Sequence, residues 1–215
     1  MRKLDKKITL SIKYKDWYEE NQTHTYDSTS NKFYYDVLYE LLIIQQGLCA
    51  YTELRLIDHE NLEKLKVGFV AGKYTANYKP DVPAQIEHFS KDRKATNGWD
   101  WNNLFAAFMG VNLKKNHLEN KYGIDNILKP DTLKYDPHKY LLYDASLHIF
   151  IPNSKLSKTE YEKVFNMILV LGLNNDWIKM KRKGYLEAIK EKESWLQKKQ
   201  TINQFYTAYD MMQAV

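Results

Sequence analysis

Residues 85–89 read QIEHF, and this short stretch decides how the middle of the chain is interpreted. Its apolar residues stand at alternate positions, which is the pattern of a β-strand. Within it, Glu87 and His88 place a carboxylate beside an imidazole. Such a pair is more often structural than catalytic, so its meaning depends on the residues that follow.

Polar clusters follow this strand along the chain. After a charged loop, residues 101–104 read WNNL and residues 112–115 read NLKK. The asparagine pair of the first cluster is suited to cap a helix or turn the chain. We therefore predict a strand, a loop and then a helix over residues 104–118.

The rest of the chain predicts an α+β fold that is mostly helical. Helices are expected at residues 31–46, 157–171 and 176–199, and a β-hairpin is expected at residues 140–151. Residues 58–83 are polar and contain glycine and proline, so they are expected to be irregular apart from a short helix.

Size and composition predict one globular domain. Of the 215 residues, 44% are hydrophobic and 14% aromatic, which is enough for a packed interior but not for two large cores. We expect a single domain over residues 1–215, with its core at residues 46–120 and helices flanking it on both sides. No run of roughly twenty apolar residues and no signal peptide is visible, so we expect a cytoplasmic protein.

The cysteine content limits the kinds of metal site that the chain can form, and the distribution of charge indicates where it could contact nucleic acid. Cys49 is the only cysteine, so it cannot complete a thiolate zinc site, and a metal would need oxygen and nitrogen ligands. The formal net charge is +5, and residues 177–199 hold eight Lys or Arg against three Glu. A cationic helix can bind phosphates, although most Lys-rich faces are only solvated. The candidates for nucleic-acid contact there are Lys179, Lys181, Arg182 and Lys183.

Glu87, His88, Asn103 and Asn112 together resemble, in order and spacing, the signature of the HNH (ββα-metal) endonuclease family. The resemblance extends to the HNH proteins associated with retrons and with Septu-type antiphage systems. Elements similar to those of that group are residues 46–53 (QGLCAYTE), 86–89 (IEHF), 101–104 (WNNL) and 171–174 (LGLN), the last trailed by Arg182. The resemblance implies a small ββα-metal module within the α+β fold.

The resemblance also implies a role for each motif residue. His88 would be the general base that takes a proton from the attacking water, since imidazole has a pKa of about 6.5. Glu87 and Asn112 would hold a divalent cation, Mg²⁺ or Mn²⁺, because hard ions prefer oxygen ligands. Asn103 would hold the loop through its backbone, and Lys115 would approach a phosphate.

Two structural expectations accompany this interpretation. Successive side chains of a regular strand point to opposite faces, so Glu87 and His88 can face one cation only if the strand bends or bulges. The related group also carries two Cys-x-x-Cys pairs that would bind a structural zinc. The corresponding positions here are Cys49, Thr52, Phe108 and Val111. We expect no zinc but a packed apolar knob, with the remaining cysteine as an ordinary buried thiol.

Three hypotheses for function remain open. The first is a metal-dependent HNH endonuclease that cuts DNA, acting in an antiphage complex with an ATPase partner of the SMC or ABC type, as the resemblance implies. The second is a catalytically inactive HNH-like scaffold that binds nucleic acid or a partner protein through residues 177–199. The third is a structural protein in which the motif is coincidental.

Overall fold

The computed structural model describes residues 1–6, 11–28 and 31–214. The chain divides into two compact units. The N-unit comprises Leu4–Ala50 and Leu56–Met109, and the C-unit comprises Met1–Lys3, Tyr51–Arg55 and Gly110–Val215. The described residues form helices and small antiparallel sheets, so the predicted α+β class is confirmed. The single domain stays a prediction.

The N-unit contains the strand that carries Glu87 and His88. Its elements in chain order are α1 (Ile12–Glu20), α2 (Tyr34–Ile44), α3 (His59–Val67), β1 (Phe69–Val70), β2 (Lys73–Tyr74), β3 (Ala84–His88), α4 (Arg93–Thr96) and β4 (Leu104–Phe108). α2 and β3 confirm the helix and the strand that the sequence predicts. The predicted irregular segment contains α3 and the β1–β2 hairpin, and the charged loop contains the short α4.

β4 corrects one prediction. The sequence predicts a helix from residue 104, but Leu104–Phe108 is a strand, and the helix α5 (Met109–Tyr122) starts directly after it. The run LFAAF is apolar at every position, and periodicity alone cannot separate a fully buried strand from a buried helix. Antiparallel pairing with β3 makes the segment a strand.

The β3–β4 pair is covered within the N-unit. The two strands pair one to one along their whole length, and α2 packs against both. Just past α2, the Gln45 carboxamide accepts the N–H of Ala106 at 2.9 Å and donates to its carbonyl at 2.8 Å. These bonds satisfy outward-facing backbone groups of β4, which would otherwise be an open sheet edge.

The C-unit is built around a second hairpin. After α5 its elements are α6 (Pro137–Tyr140), β5 (Leu141–Asp144), β6 (Ile149–Pro152), α7 (Lys158–Val170), α8 (Asp176–Leu196) and α9 (Tyr206–Gln213). The hairpin, α7 and α8 confirm the sequence predictions; α7 packs on β6, and α9 packs on β5. In the ranges that the structure describes, no helix has both the length and the apolar surface needed to cross a bilayer.

Side-chain bonds to the backbone fix the hairpin of the C-unit. Asn174 accepts the N–H of Phe150 at 2.8 Å and donates to its carbonyl at 2.7 Å. Arg182, fully buried on α8, donates to the carbonyls of Leu173 at 2.9 Å and His148 at 2.6 Å. The LGLN motif and its trailing arginine therefore join β6 to the turn between α7 and α8.

Glu53, the last residue of the QGLCAYTE motif, is also buried in the C-unit. Its carboxylate lies 3.1 Å from the Met1 amino group and accepts the backbone N–H of Thr207 at 2.9 Å. Burial by itself raises the pKa of this carboxyl, but the charge of Met1 and the bonds from Thr207 outweigh burial and hold the pKa below its usual value. This end of the motif is thus part of the C-unit core.

Candidate active site

His88 is the last residue of β3 and is held by a hydrogen bond and a ring contact. It is 6% exposed. Its Nε2 lies 2.7 Å from the carbonyl oxygen of Gly98, and its ring meets that of Tyr26 edge to face, with the centroids 4.5 Å apart. A carbonyl can only accept, so Nε2 carries the proton and the lone pair of a neutral ring lies on Nδ1. The Gly98 carbonyl therefore selects the tautomer in which Nδ1 is the basic atom.

Glu87 precedes His88 on the strand and is 1% exposed. Glu87 pairs with Phe105 and His88 pairs with Leu104, with no extra residue between them. The register therefore excludes the predicted bulge at this pair. Because the pairing is regular, the two side chains leave β3 on opposite faces. Both faces of the strand are covered at this point, which explains why both side chains are buried.

Asn103 fixes the chain just beyond His88. Its Oδ1 accepts the N–H of Ser90 at 2.8 Å, and its Nδ2 donates to the carbonyl of Ser90 at 2.9 Å. Asn103 is 2% exposed, so water does not compete for these bonds. This is the kind of backbone contact that the resemblance implies for Asn103, and its role in catalysis stays a prediction.

Asn112 and Lys115 lie on α5, in the part that belongs to the C-unit. Asn112 is half-buried, and its sharing of a cation with Glu87 stays a prediction. Lys115 is fully buried, and its Nζ lies 2.8 Å from Glu119 Oε2, one turn along the helix. The predicted phosphate contact of Lys115 is therefore corrected, since its charge is compensated inside the protein and is not presented to solvent.

The predicted nucleic-acid contacts on α8 divide into two kinds. Lys181 and Lys183 are exposed, and the side chain of Lys179 is 41% exposed. Arg182 is fully buried, and its terminal nitrogens bond backbone carbonyls, so its predicted contact with DNA is corrected. Each residue turns the helix by about 100°, so a continuous basic run necessarily points part of its charge toward the core.

The four positions that correspond to zinc ligands in the related group are mostly buried. Cys49 is 1% exposed, and its Sγ accepts the N–H of Phe108 at 3.5 Å. Thr52 and Val111 are buried within the C-unit, whereas Phe108 is only half-buried. Cys49 is thus the buried thiol that the sequence predicts, and the expected apolar packing is incomplete at Phe108.

Glu87, directly before His88 in the sequence, is the one carboxylate that the motif offers to a hard cation. In the described part of the chain, no group of three or more His, Cys, Asp or Glu is placed to hold a metal ion. Mg²⁺ is commonly bound through one or two carboxylates, with water and substrate phosphate completing its shell. Glu87 supplies one such carboxylate, but the regular strand points it to the face opposite His88, so its binding of Mg²⁺ or Mn²⁺ stays a prediction.

Several residues that build this site are absent from the sequence predictions. Gly98 supplies the acceptor for His88, Tyr26 covers the imidazole, and Gln45 closes the edge of β4. A glycine at the end of a charged loop is a signal for a close backbone approach that could have drawn attention to Gly98. The tyrosine and the glutamine carry no such signal, because their partners lie far away in the sequence.

Comparison with known proteins assigns no family to the chain. No family model matches it, and the search of curated proteins finds no match. The resemblance to HNH nucleases therefore rests on the sequence motifs alone.

Proposed function

We propose that the chain is a metal-dependent endonuclease of the HNH type that hydrolyses phosphodiester bonds of DNA. The observation that carries this proposal is the imidazole at the end of β3, whose tautomer is selected by the Gly98 carbonyl, beside a loop fixed by Asn103. The carboxylate of Glu87 directly precedes it. Along the chain, β3, its loop, β4 and α5 follow one another in the ββα order that the resemblance implies.

His88 would act as the general base. Nδ1 takes a proton from the attacking water, while the Nε2–H stays bonded to the Gly98 carbonyl and stabilises the charge that develops on the ring. A base placed in this way contributes about 100- to 10,000-fold to the rate. The contribution of Asn103 is to keep the loop beside His88 in one conformation.

Glu87 would hold a divalent cation through its carboxylate, as the resemblance implies. When bound, the cation supplies positive charge opposite the phosphate and the departing oxygen. The exposed charges of Lys179, Lys181 and Lys183 attract the DNA backbone from solvent.

Plasmid cleavage in Mg²⁺ or Mn²⁺ tests the assigned base. We expect His88→Gln to lower the cleavage rate by at least about 100-fold, because glutamine keeps a donor for the Gly98 carbonyl but is no base. The matched control is His59→Gln on α3, since the His59 side chain is 85% exposed, and its rate should equal that of the wild type. Equal rates for His88→Gln and wild type would refute the role of His88.

An antiphage role with an ATPase partner of the SMC or ABC type belongs to the proposal through the resemblance alone. The cleavage assay is therefore run with and without a co-encoded ATPase. If the nuclease needs this partner, His88→Gln should inactivate the complex while leaving its assembly intact, as judged by gel filtration.

A catalytically inactive scaffold is the second candidate, and one observation favours it. Because β3 is regular, Glu87 and His88 leave the strand on opposite faces, and both are nearly fully buried. In this case DNA binding persists in EDTA, and plasmid stays intact in Mg²⁺ and Mn²⁺ with or without the ATPase. That pair of results would select the scaffold over the nuclease.

A further inference from the structure

Tyr26, in the segment of residues 24–26 between α1 and α2, covers the imidazole of His88 within the N-unit. The Tyr26 ring stands at 82° to the His88 ring, and it also lies 4.8 Å from the Trp99 ring, centroid to centroid. The Lys94 Nζ lies 5.0 Å from the centroid of the same tyrosine ring. Tyr26 is thus held by contacts of its own and is not a loose side chain resting on His88.

The same segment binds the backbone of the loop that supplies the acceptor for His88. Hydrogen bonds join the Gly98 N–H to the His24 carbonyl at 3.1 Å, the Tyr26 N–H to the Lys94 carbonyl at 3.2 Å, and the Thr25 hydroxyl to the Ala95 carbonyl at 3.2 Å. The segment therefore holds α4 and the residues just beyond it. As a result, the position of the Gly98 carbonyl depends on residues 24–26.

The approach of the two segments leaves no room for a side chain at residue 98. A Cβ there would lie 2.4 Å from the Tyr26 nitrogen and 2.6 Å from the Lys94 carbonyl oxygen. Both are backbone atoms that already bond each other, so neither can move away cheaply. Glycine at this position permits the close approach of the two segments, which brings the Gly98 carbonyl and the Tyr26 ring to the same imidazole.

We propose that Tyr26 is a positioning residue for His88. Its ring, anchored through residues 24–26, keeps the imidazole oriented with Nε2–H on the Gly98 carbonyl, so that Nδ1 carries the lone pair. Tyr26 acts through His88 and needs no contact with DNA or metal. The inference rests on the proposed function, since orienting the ring affects a rate only if His88 is the base.

The kinetic test compares substitutions of Tyr26 in the full chain. A misplacement of about 1 Å can cost about 100-fold, so Tyr26→Leu should lower kcat by about 10- to 100-fold with KM unchanged. Tyr26→Phe keeps the ring and should retain the wild-type kcat. Tyr35→Leu removes a tyrosine that is 43% exposed on α2 of the same unit, and it should leave both constants unchanged. If Tyr26→Leu does not fold, Tyr26→Met takes its place with the same expectation.

A second measurement does not depend on cleavage. At a pH where the ring is neutral, ¹⁵N NMR of the His88 ring nitrogens should show the Nε2–H tautomer alone in the wild type and in Tyr26→Phe, and a mixture of tautomers in Tyr26→Leu. If the wild type cuts no DNA, the proposed function fails, and the tautomers alone decide the role of Tyr26. A Tyr26→Leu protein with the wild-type tautomer, or with the wild-type kcat in an active enzyme, would overturn the inference.

Discussion

Each of the two units contains an asparagine whose side chain binds both backbone groups of one distant residue. In the N-unit Asn103 binds the N–H and the carbonyl of Ser90, and in the C-unit Asn174 binds those of Phe150. The four bonds lie between 2.7 and 2.9 Å. The sequence resemblance covers both asparagines. Such a pair of hydrogen bonds alone therefore does not distinguish a catalytic region from a structural one.

We call the two asparagine contacts, Asn103 with Ser90 and Asn174 with Phe150, the N-unit clamp and the C-unit clamp. The histidines near these two clamps differ in their hydrogen-bond partners. His88 bonds the Gly98 carbonyl through Nε2 and follows a carboxylate in the sequence. His148 has Nδ1 at 2.8 Å from the Tyr143 hydroxyl, and its Nε2 lies 3.6 Å from the Glu187 carboxylate, so a side chain rather than a backbone carbonyl bonds its ring. His148 is thus a buried histidine of the C-unit that is bonded to a tyrosine of the same hairpin. What distinguishes His88 is the backbone carbonyl at its Nε2 and the carboxylate residue that precedes it in the sequence.

The largest effect is expected at Arg182. Arg182→Met removes a fully buried guanidinium from the carbonyls of Leu173 and His148, and each buried acceptor left without its donor costs about 1 to 3 kcal/mol. We therefore expect the free energy of unfolding, measured by urea denaturation, to fall by about 3 kcal/mol.

The neighbouring Lys181 gives the matched control, because it is exposed on the same helix. Lys181→Met should change the free energy of unfolding by less than about 0.5 kcal/mol. An Arg182→Met protein as stable as the wild type but weaker in DNA binding would show that the arginine is a nucleic-acid contact after all, and it would remove the structural role given to the C-unit clamp.

The two clamps are compared directly by Asn103→Ala and Asn174→Ala. Each change removes two hydrogen bonds to a backbone segment, so each should lower the free energy of unfolding by about 2 kcal/mol. Cleavage should separate them: at a temperature where both variants are folded, only Asn103→Ala should lose plasmid cleavage. Loss of cleavage in both, or in neither, would mean that the region around Asn103 has no special part in catalysis.

The sequence predicts those helices and strands whose own residues show the periodicity or the boundary residues of their type. α2, the β5–β6 hairpin, α7 and α8 all show the periodicity or the boundary residues of their type, and the structure confirms them. β4 does not, because a strand that is apolar on both faces is defined by its partner rather than by its own sequence. The correction at residues 104–108 follows from pairing that no local window contains.

The residues of the candidate site also fall into those that the sequence places correctly and those that it does not. The motif places Glu87, His88 and Asn103 in one region of the N-unit, but the resemblance misplaces Lys115 and the basic run misplaces Arg182, which are both fully buried. A sequence gives the sign of a charge and not the direction in which a helix points it. Contacts such as those of His88 with Gly98 and Tyr26 depend on the tertiary fold, so no motif predicts them.

The smallest expected effect is a pH dependence in the C-unit. Burial lowers the pKa of His148 below its ordinary 6.5; the cations Lys183 and Arg182 add to this, and Glu187 opposes it. The unfolded chain then binds more protons than the folded one between the lowered pKa and 6.5. The stability that a neutral His148 contributes is therefore complete above 6.5 and is lost as the pH falls through this window.

Urea denaturation on both sides of this window, with the wild type and His148→Asn, tests the difference between the two histidines. Asparagine tolerates the left-handed backbone of residue 148, where φ is +53°, and it does not titrate, so the slope of stability with pH should become shallower. His59→Asn replaces an exposed histidine and should keep the wild-type slope. A slope that is unchanged in His148→Asn would mean that another group takes up the proton, and a neutral His148 could then no longer serve as the structural counterpart of His88.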